Sequence, residues 1–403
     1  MADYDFSQPV ERRATGSIKW SGGAEAGRWS PTAATGAINE VEMLPMWLAD
    51  MDFTVAPEIQ AALRDRVDFG VFGYTTYTDD FYEAIAAWYS RRHGWAPSPE
   101  SIMVNTGVMP AINLAIQTFT EPGDHVIAQP PVFHPITEAA ELNGRRTVLN
   151  PLVLDNGTYN MDLEDLASKA ADPRAKMLIL CSPHNPIGRV WTEQELRNVA
   201  DVCREFDLIL VSDEIHADLT YPWANFTTAA TLGPEYEDRL IICTGPSKAF
   251  NLPAMKLALT VIASPELRAR FRNTLDKQNE LWSANLMGAT ALEAAYTEGQ
   301  MWLDALMSCL EGNLGFIQDF IADRLPRLRL ERPDALYLAW IDCRRLGLTN
   351  VDLTHRIRSA GLWVEDGATY GTEGEGFIRL TYATPQRLLE EGMLRLESAL
   401  GTI

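Results

Sequence analysis

Thr244-Gly245-Pro246-Ser247-Lys248-Ala249-Phe250-Asn251-Leu252-Pro253 places one lysine among small, apolar and turn-forming residues. It follows Arg239–Cys243, RLIIC, an unbroken apolar run that predicts a buried strand. An ammonium taken out of water without a partner is costly, and most lysines stay at the surface. A lysine closing a buried strand therefore asks what else the chain brings to meet it.

Working outward, five more short apolar runs predict buried strands: SIMVNTG (Ser101–Gly107), HVIAQ (His125–Gln129), KMLILCS (Lys176–Ser182), LILVSDE (Leu208–Glu214) and LALTVIA (Leu257–Ala263). Helical patterns lie between them, such as Met109–Phe119 and Thr192–Phe206, the second opened by a Thr192/Glu195 capping box. Strands alternating with helices predict an α/β fold with a mostly parallel sheet covered on both faces. In such sheets ligands sit beyond the carboxyl ends of the strands. Those ends carry Gly107-Val108-Met109 opening a helix, Asn185 in a proline-flanked loop, Asp213 and His216, and then Ser247-Lys248. A helix start can hold a phosphate, although a glycine there is commonly just a turn. Asparagine beside proline is commonly turn chemistry. The weight lies in their conjunction in one chain.

Residues 1–45 show little periodicity and read as an N-terminal arm with one short helix; 46–285 read as the large α/β domain. Residues 286–403 read as a smaller α+β domain, with helical patterns, the strand-like ALYLAWID (Ala335–Asp342) and FIRLTYA (Phe377–Ala383), and a last helix over Pro385–Leu400. In the second strand Phe377, Arg379 and Thr381 alternate with Ile378, Leu380 and Tyr382, which predicts one polar and one apolar edge.

The 403 residues carry 34 basic and 55 acidic side chains, a net charge of −21, which argues against nucleic acid and anionic membranes as partners. No run approaches the roughly 18 apolar residues of a membrane span, and MADYDFSQPVERR lacks the apolar core of a signal peptide. Five scattered cysteines without a C-x-x-C pair fit a reducing, cytoplasmic setting. His216 has no second histidine at zinc-ligand spacing, so no metal is expected. GGAEAG (Gly22–Gly27) and GTEGEGF (Gly371–Phe377) do not match a dinucleotide fingerprint.

SPHNPIGRVW (Ser182–Trp191), SDEIHADL (Ser212–Leu219) and SKAFNLPA (Ser247–Ala254), in that order, resemble fold-type I pyridoxal-phosphate (PLP) enzymes. LPMWLADMDF (Leu44–Phe53) and GFIRLTYATP (Gly376–Pro385) narrow the resemblance to cystathionine β-lyase-like carbon–sulfur lyases of the MalY/PatB type, from Ile18 to the C-terminus. The resemblance implies that Lys248 carries PLP as an imine, Asp213 faces the pyridine nitrogen, and Asn185 binds the phenolate oxygen with His216 nearby. It further implies that Phe133 stacks on the ring, and that Gly107, Val108, Met109 and Ser247 hold the phosphate. Tyr74 would reach the phosphate of a second subunit, which makes the expected assembly a homodimer with shared sites. Arg379, with Asn185 and Trp47, would bind the amino-acid substrate.

Three positions depart from the pattern. Lys256 stands where transaminases of the fold place a phosphate-binding arginine, Thr381 where this branch often has asparagine, and Phe133 lacks a tyrosine hydroxyl. The implied reaction is β-elimination of a thiol from cystathionine or an S-substituted cysteine, giving pyruvate and ammonia. The alternatives are an aminotransferase, a decarboxylative enzyme acting on an S-cysteine conjugate, and a regulatory binding protein of the same fold.

Overall fold

A computed structural model describes residues 4–21, 43–277 and 283–401. The Gly22–Gly27 stretch and most of the predicted arm's second half lie outside the described residues.

All six apolar runs become strands of one seven-stranded sheet. From edge to edge it runs Ile102–Asn105, Ala258–Val261, Leu240–Thr244, Ile209–Asp213, Ala175–Cys181, His125–Ala128 and Arg146–Leu149. Every pair is parallel except the two made by Ala258–Val261. Its inner strands are buried on both faces, so their sequences read as continuous apolar runs rather than alternating ones. The seventh strand, Arg146–Leu149, has an exposed and half-buried pattern at one edge, and RTVL carries no such signal.

The helices obey local chemistry. Glu193–Glu205 opens with the predicted capping box: Thr192 Oγ1 accepts the Glu195 N–H (3.2 Å), and Glu195 Oε2 accepts that of Thr192 (2.8 Å). Val108–Phe119 starts at Gly107 directly beyond the strand Ile102–Asn105, and buries Ala111, Ile112, Leu114, Ala115, Ile116 and Phe119.

A second, four-stranded sheet is ordered Arg329–Leu330, Leu338–Asp342, Phe377–Thr381 and Glu365–Asp366, all antiparallel. The expected polar edge of Phe377–Thr381 is corrected here, because all five residues are buried. The strand is interior to its sheet and covered on both faces, so Arg379 faces no bulk solvent. Leu44–Pro45 pairs in parallel with Leu362–Trp363, which ties the segment ahead of the large sheet to the C-terminal part of the chain. None of the helices among the described residues is long and apolar enough to cross a membrane.

Candidate active site

A cavity of about 250 Å³ opens beyond the carboxyl ends of the central strands. Trp47, Val108, Met109, Phe133, Asn185, Asp213, His216, Ser247, Lys248 and Arg379 line it. Ten of the residues singled out in the sequence thus meet in one place. Gly107 is the N-cap of the helix that contributes Val108 and Met109. Tyr74 and Lys256 are not brought to the cavity: Tyr74 is 91% exposed, and Lys256 is exposed with φ 51°.

Lys248 reaches the cavity by a sharp exit from its strand. Gly245 has φ 151°, and a Cβ there would stand 3.2 Å from the Ala258 Cα of the adjacent strand, so a side chain would be both strained and crowded. The loop then closes on itself, with the Phe250 N–H donating to Pro246 O (2.9 Å) and the Leu252 N–H to Ser247 O (2.9 Å). Lys248 Nζ donates to Ala49 O at 2.8 Å. Burial and then the nearby Arg379 guanidinium push its pKa down to about 8, so roughly a tenth is neutral amine at pH 7.

Asp213 ends its strand in register with Cys181 on one side and Cys243 on the other. Among the described residues it makes no ion pair. Its carboxylate accepts the Ile215 N–H at 3.2 Å, and burial pushes its pKa up to about 6 despite that bond and the pull of Lys248. His216 is held neutral, its pKa driven well down by burial and by Lys248 and Arg379, and its buried Nδ1 has no partner among the described residues.

Arg379 is 3% exposed and makes no ion pair among the described residues. Nη2 donates to Trp47 O (2.6 Å) and Nη1 to Asn185 Oδ1 (3.3 Å), while the guanidinium carbon lies 5.2 Å from the Tyr370 ring centroid. Buried Nε has no partner among the described residues. Burial excludes an ordinary surface salt bridge as its role.

Sequence reasoning missed His134, Cys181, Ile215, Leu48, Ala49, Glu365 and Tyr370, which complete the lining. Glu365 is the cross-strand partner of Arg379. His134 directly follows Phe133, and burial with the Arg379 charge pushes its pKa down to about 4. Adjacency to Phe133 was the one available signal. A larger cleft of about 410 Å³ lies between Leu154–Tyr159, Ile187–Arg189 and Arg329–Asp334. Its arginines are largely spent on neighbouring carboxylates, as in Arg189–Glu195 and Arg344–Asp342, and it has no unpaired buried charge to offer a reaction.

The smaller cavity holds an unpaired buried carboxylate, a partly neutral lysine, an unpaired guanidinium and the first N–H groups of a helix, which have no intrahelical acceptor. Such a set fits a ligand with a protonated ring nitrogen for Asp213, an electrophilic carbon for Lys248 and an anionic tail for the helix start. PLP has all three, and a fold-type I PLP site is what this sheet and these strand ends define.

The chain belongs to the aminotransferase class I and II family, whose pattern matches residues 48–396. It is 39% identical to cystathionine β-lyase PatB of Bacillus subtilis over 398 residues, covering 98% of this chain and all of that one. Protein MalY of Escherichia coli is 33% identical, with 99% and 100% covered. Among solved structures, cystalysin of Treponema denticola, which contains PLP, superposes with TM-score 0.91 at 33% identity, with 99% of each chain covered. A PLP-bound C–S lyase of Staphylococcus hominis gives TM-score 0.90 at 28% identity, covering 99% of this chain and 98% of that one.

Proposed function

We propose that this protein is a PLP-dependent carbon–sulfur β-lyase that eliminates a thiol from cystathionine or another S-substituted L-cysteine, releasing pyruvate and ammonia. The observation that carries the reading is the placement of Lys248 Nζ and Arg379 Nη2 on two nearby carbonyls, Ala49 O and Trp47 O, in one buried cavity with Asp213. Base and carboxylate anchor thereby line one cavity, as an α-amino acid requires.

In this reading Lys248 carries the cofactor and Asp213 faces its ring nitrogen. Asn185 and His216 lie at its phenolate oxygen, Phe133 on its ring, and Gly107, Val108, Met109 and Ser247 at its phosphate. Bound there, PLP supplies an electron sink for the charge that develops at the substrate Cα. Arg379 holds the α-carboxylate through a paired guanidinium–carboxylate contact, with Trp47 O and Asn185 fixing the guanidinium from behind. Once the substrate's amino group takes its place on the cofactor, the freed Lys248 amine, its pKa lowered to about 8, would take the Cα proton. Asp213 keeps negative charge opposite the ring nitrogen throughout. Sulfur leaves from Cβ as a thiolate, and water hydrolyses the remaining C3 enamine to pyruvate and ammonia.

The proposed assembly is a homodimer, in the cytoplasm. Supporting it, Val67, Phe69, Val71, Phe72 and Tyr74 form a run of exposed large apolar side chains, each at least 53% exposed, a patch of the kind that marks an interface. Tyr74 belongs to that run and would serve the partner's site; the role of Lys256 at the phosphate rests on the resemblance alone. A monomer in sedimentation at micromolar concentration would end the dimer proposal.

The function is tested by supplying L-cystathionine and S-alkyl-cysteines to the holoenzyme. Pyruvate, ammonia and thiol in equal amounts, without any added keto acid, are expected, and Lys248→Ala abolishes them together with the visible absorption of the bound cofactor. Turnover that requires a 2-oxo acid acceptor, or that releases carbon dioxide, would replace this reading.

A further inference from the structure

The segment Met46–Phe53 reaches the cavity largely through its backbone. Trp47 O accepts from Arg379 Nη2, and Ala49 O accepts from both Lys248 Nζ (2.8 Å) and Tyr337 Oη–H (3.1 Å). This strap is stitched to the small sheet, with the Thr381 N–H donating to Met46 O (2.9 Å) and the Asp52 N–H to Ala383 O (2.9 Å). It is stitched to the lysine loop by Asn251, whose Nδ2 donates to Met51 O (3.1 Å) and Phe53 O (3.0 Å). It thus spans the two parts of the chain that supply the base and the carboxylate anchor.

Its acidic side chains meet the N-terminal arm. Lys19 Nζ donates to Asp52 Oδ2 (2.7 Å) and to Asp50 O (3.1 Å), and Arg12 pairs with Asp50 Oδ2 (2.8 Å) and Asp52 Oδ1 (2.9 Å). Trp20 Nε1 donates to Asp52 Oδ1 at 2.7 Å, and Trp47 Nε1 donates to Lys19 O at 3.3 Å. Lys19 is 1% exposed and Asp52 2%. Two cations and two anions therefore grip the strap on both sides of Met51.

A buried ion pair seldom stabilises a fold more than well-packed apolar residues of the same size would. Geometry is a better account of this one. A carbonyl is aimed only by the peptide it belongs to, so Ala49 O and Trp47 O depend on whatever fixes the strap's backbone. We infer that Lys19 and Arg12 are positioning residues: through Asp50 and Asp52 they set the strap whose carbonyls aim Lys248 and Arg379. The inference rests on the lyase reading for its kinetic consequence, but not for its structural one.

The test compares holoenzyme of wild type, Lys19→Met and the charge-neutral double variant Lys19→Met/Asp52→Asn, in which position 52 keeps an acceptor for Trp20. Amide hydrogen exchange over residues 46–53 and kcat/KM for a thiol-releasing cysteine conjugate are read together. The single variant is expected to lose about 10²-fold in kcat/KM, the scale of an ångström-sized misplacement, and to exchange faster at Met51 and Asp52. The double variant is expected to regain thermal stability while its kcat/KM and strap protection stay low. A double variant within about threefold of wild type in both would overturn the inference and make the cluster a stability element; if the single variant does not fold, the double variant decides alone. Absence of lyase turnover in wild type would sink the functional reading, while exchange would still decide the positioning one.

Discussion

Asp52 and Asp213 are both sealed from solvent, 2% and 5% exposed, and stand at opposite ends of what a buried carboxylate can be. Burial drives both pKa values upward. At Asp52 the Lys19 ammonium, Trp20 and Arg12 more than offset that cost and leave the group below the usual carboxylate range. At Asp213 one backbone N–H and the distant charge of Lys248 do not, and the group rises to about 6. A carboxylate whose bonds are all filled by the chain belongs to the architecture. One left short by the chain is a candidate to meet a ligand. Half-buried Lys248 and buried Arg379 repeat the second pattern, being cations held on carbonyls rather than carboxylates.

The largest effect should come from breaking the comparison at its incomplete member. Asp213→Asn keeps an acceptor for the Ile215 N–H but removes the charge we propose to face the ring nitrogen. Turnover is expected to fall by roughly 10³-fold, about 4 kcal/mol at ~1.4 kcal/mol per decade, with cofactor still bound. Steady-state kinetics within threefold of wild type would make Asp213 structural. Asp52→Asn should lower stability as well as turnover. It strands the Lys19 ammonium in the interior, and breaking a buried pair from one side costs about 3 kcal/mol of stability. Thermal denaturation checks this, and an unchanged melting temperature would show that the Lys19–Asp52 pair is weaker than its geometry.

The same contrast explains what the sequence could convey. Lys248, Asn185 and Asp213 were legible because each follows an apolar run, and parallel sheets put ligands at those ends. Arg379 was legible through resemblance, yet the alternation around it misled, since an interior strand of a covered sheet has no solvent edge. Arg146–Leu149 escaped notice because an edge strand need not be apolar. Of the strap only Trp47 was singled out, through the resemblance, and the part played by its backbone could not be read. Its contribution is two carbonyls, which every residue possesses, so LPMWLADMDF identifies a resemblance without showing a mechanism. Glu365 and Tyr370 enter from the second sheet and its following turn, where no strand-end rule operates.

The smallest effect separates the two aspartates by the sign of their pH dependence. The folded pKa of Asp213 lies above its ordinary 3.8, at about 6, so between those values the folded chain binds more proton than the unfolded one. Stability from this group is then lost as pH rises from about 4 to about 6, and the deficit at neutral pH is about 3 kcal/mol at ~1.4 kcal/mol per unit. For Asp52 the folded pKa lies below 3.8, so its contribution is present above that value and is lost as pH falls through the lowered pKa. Cofactor-free Asp213→Asn should therefore match wild type in melting temperature near pH 4 and exceed it increasingly up to about pH 7. Asp52→Asn should fall short of wild type across that range and converge on it only in stronger acid. Adding PLP should cancel or reverse the advantage of Asp213→Asn, because the wild-type carboxylate then gains the cationic partner it lacked. A melting-temperature difference between wild type and Asp213→Asn that stays flat from pH 4 to pH 8 would mean that the buried carboxylate is not strained, and the distinction between the two aspartates would collapse.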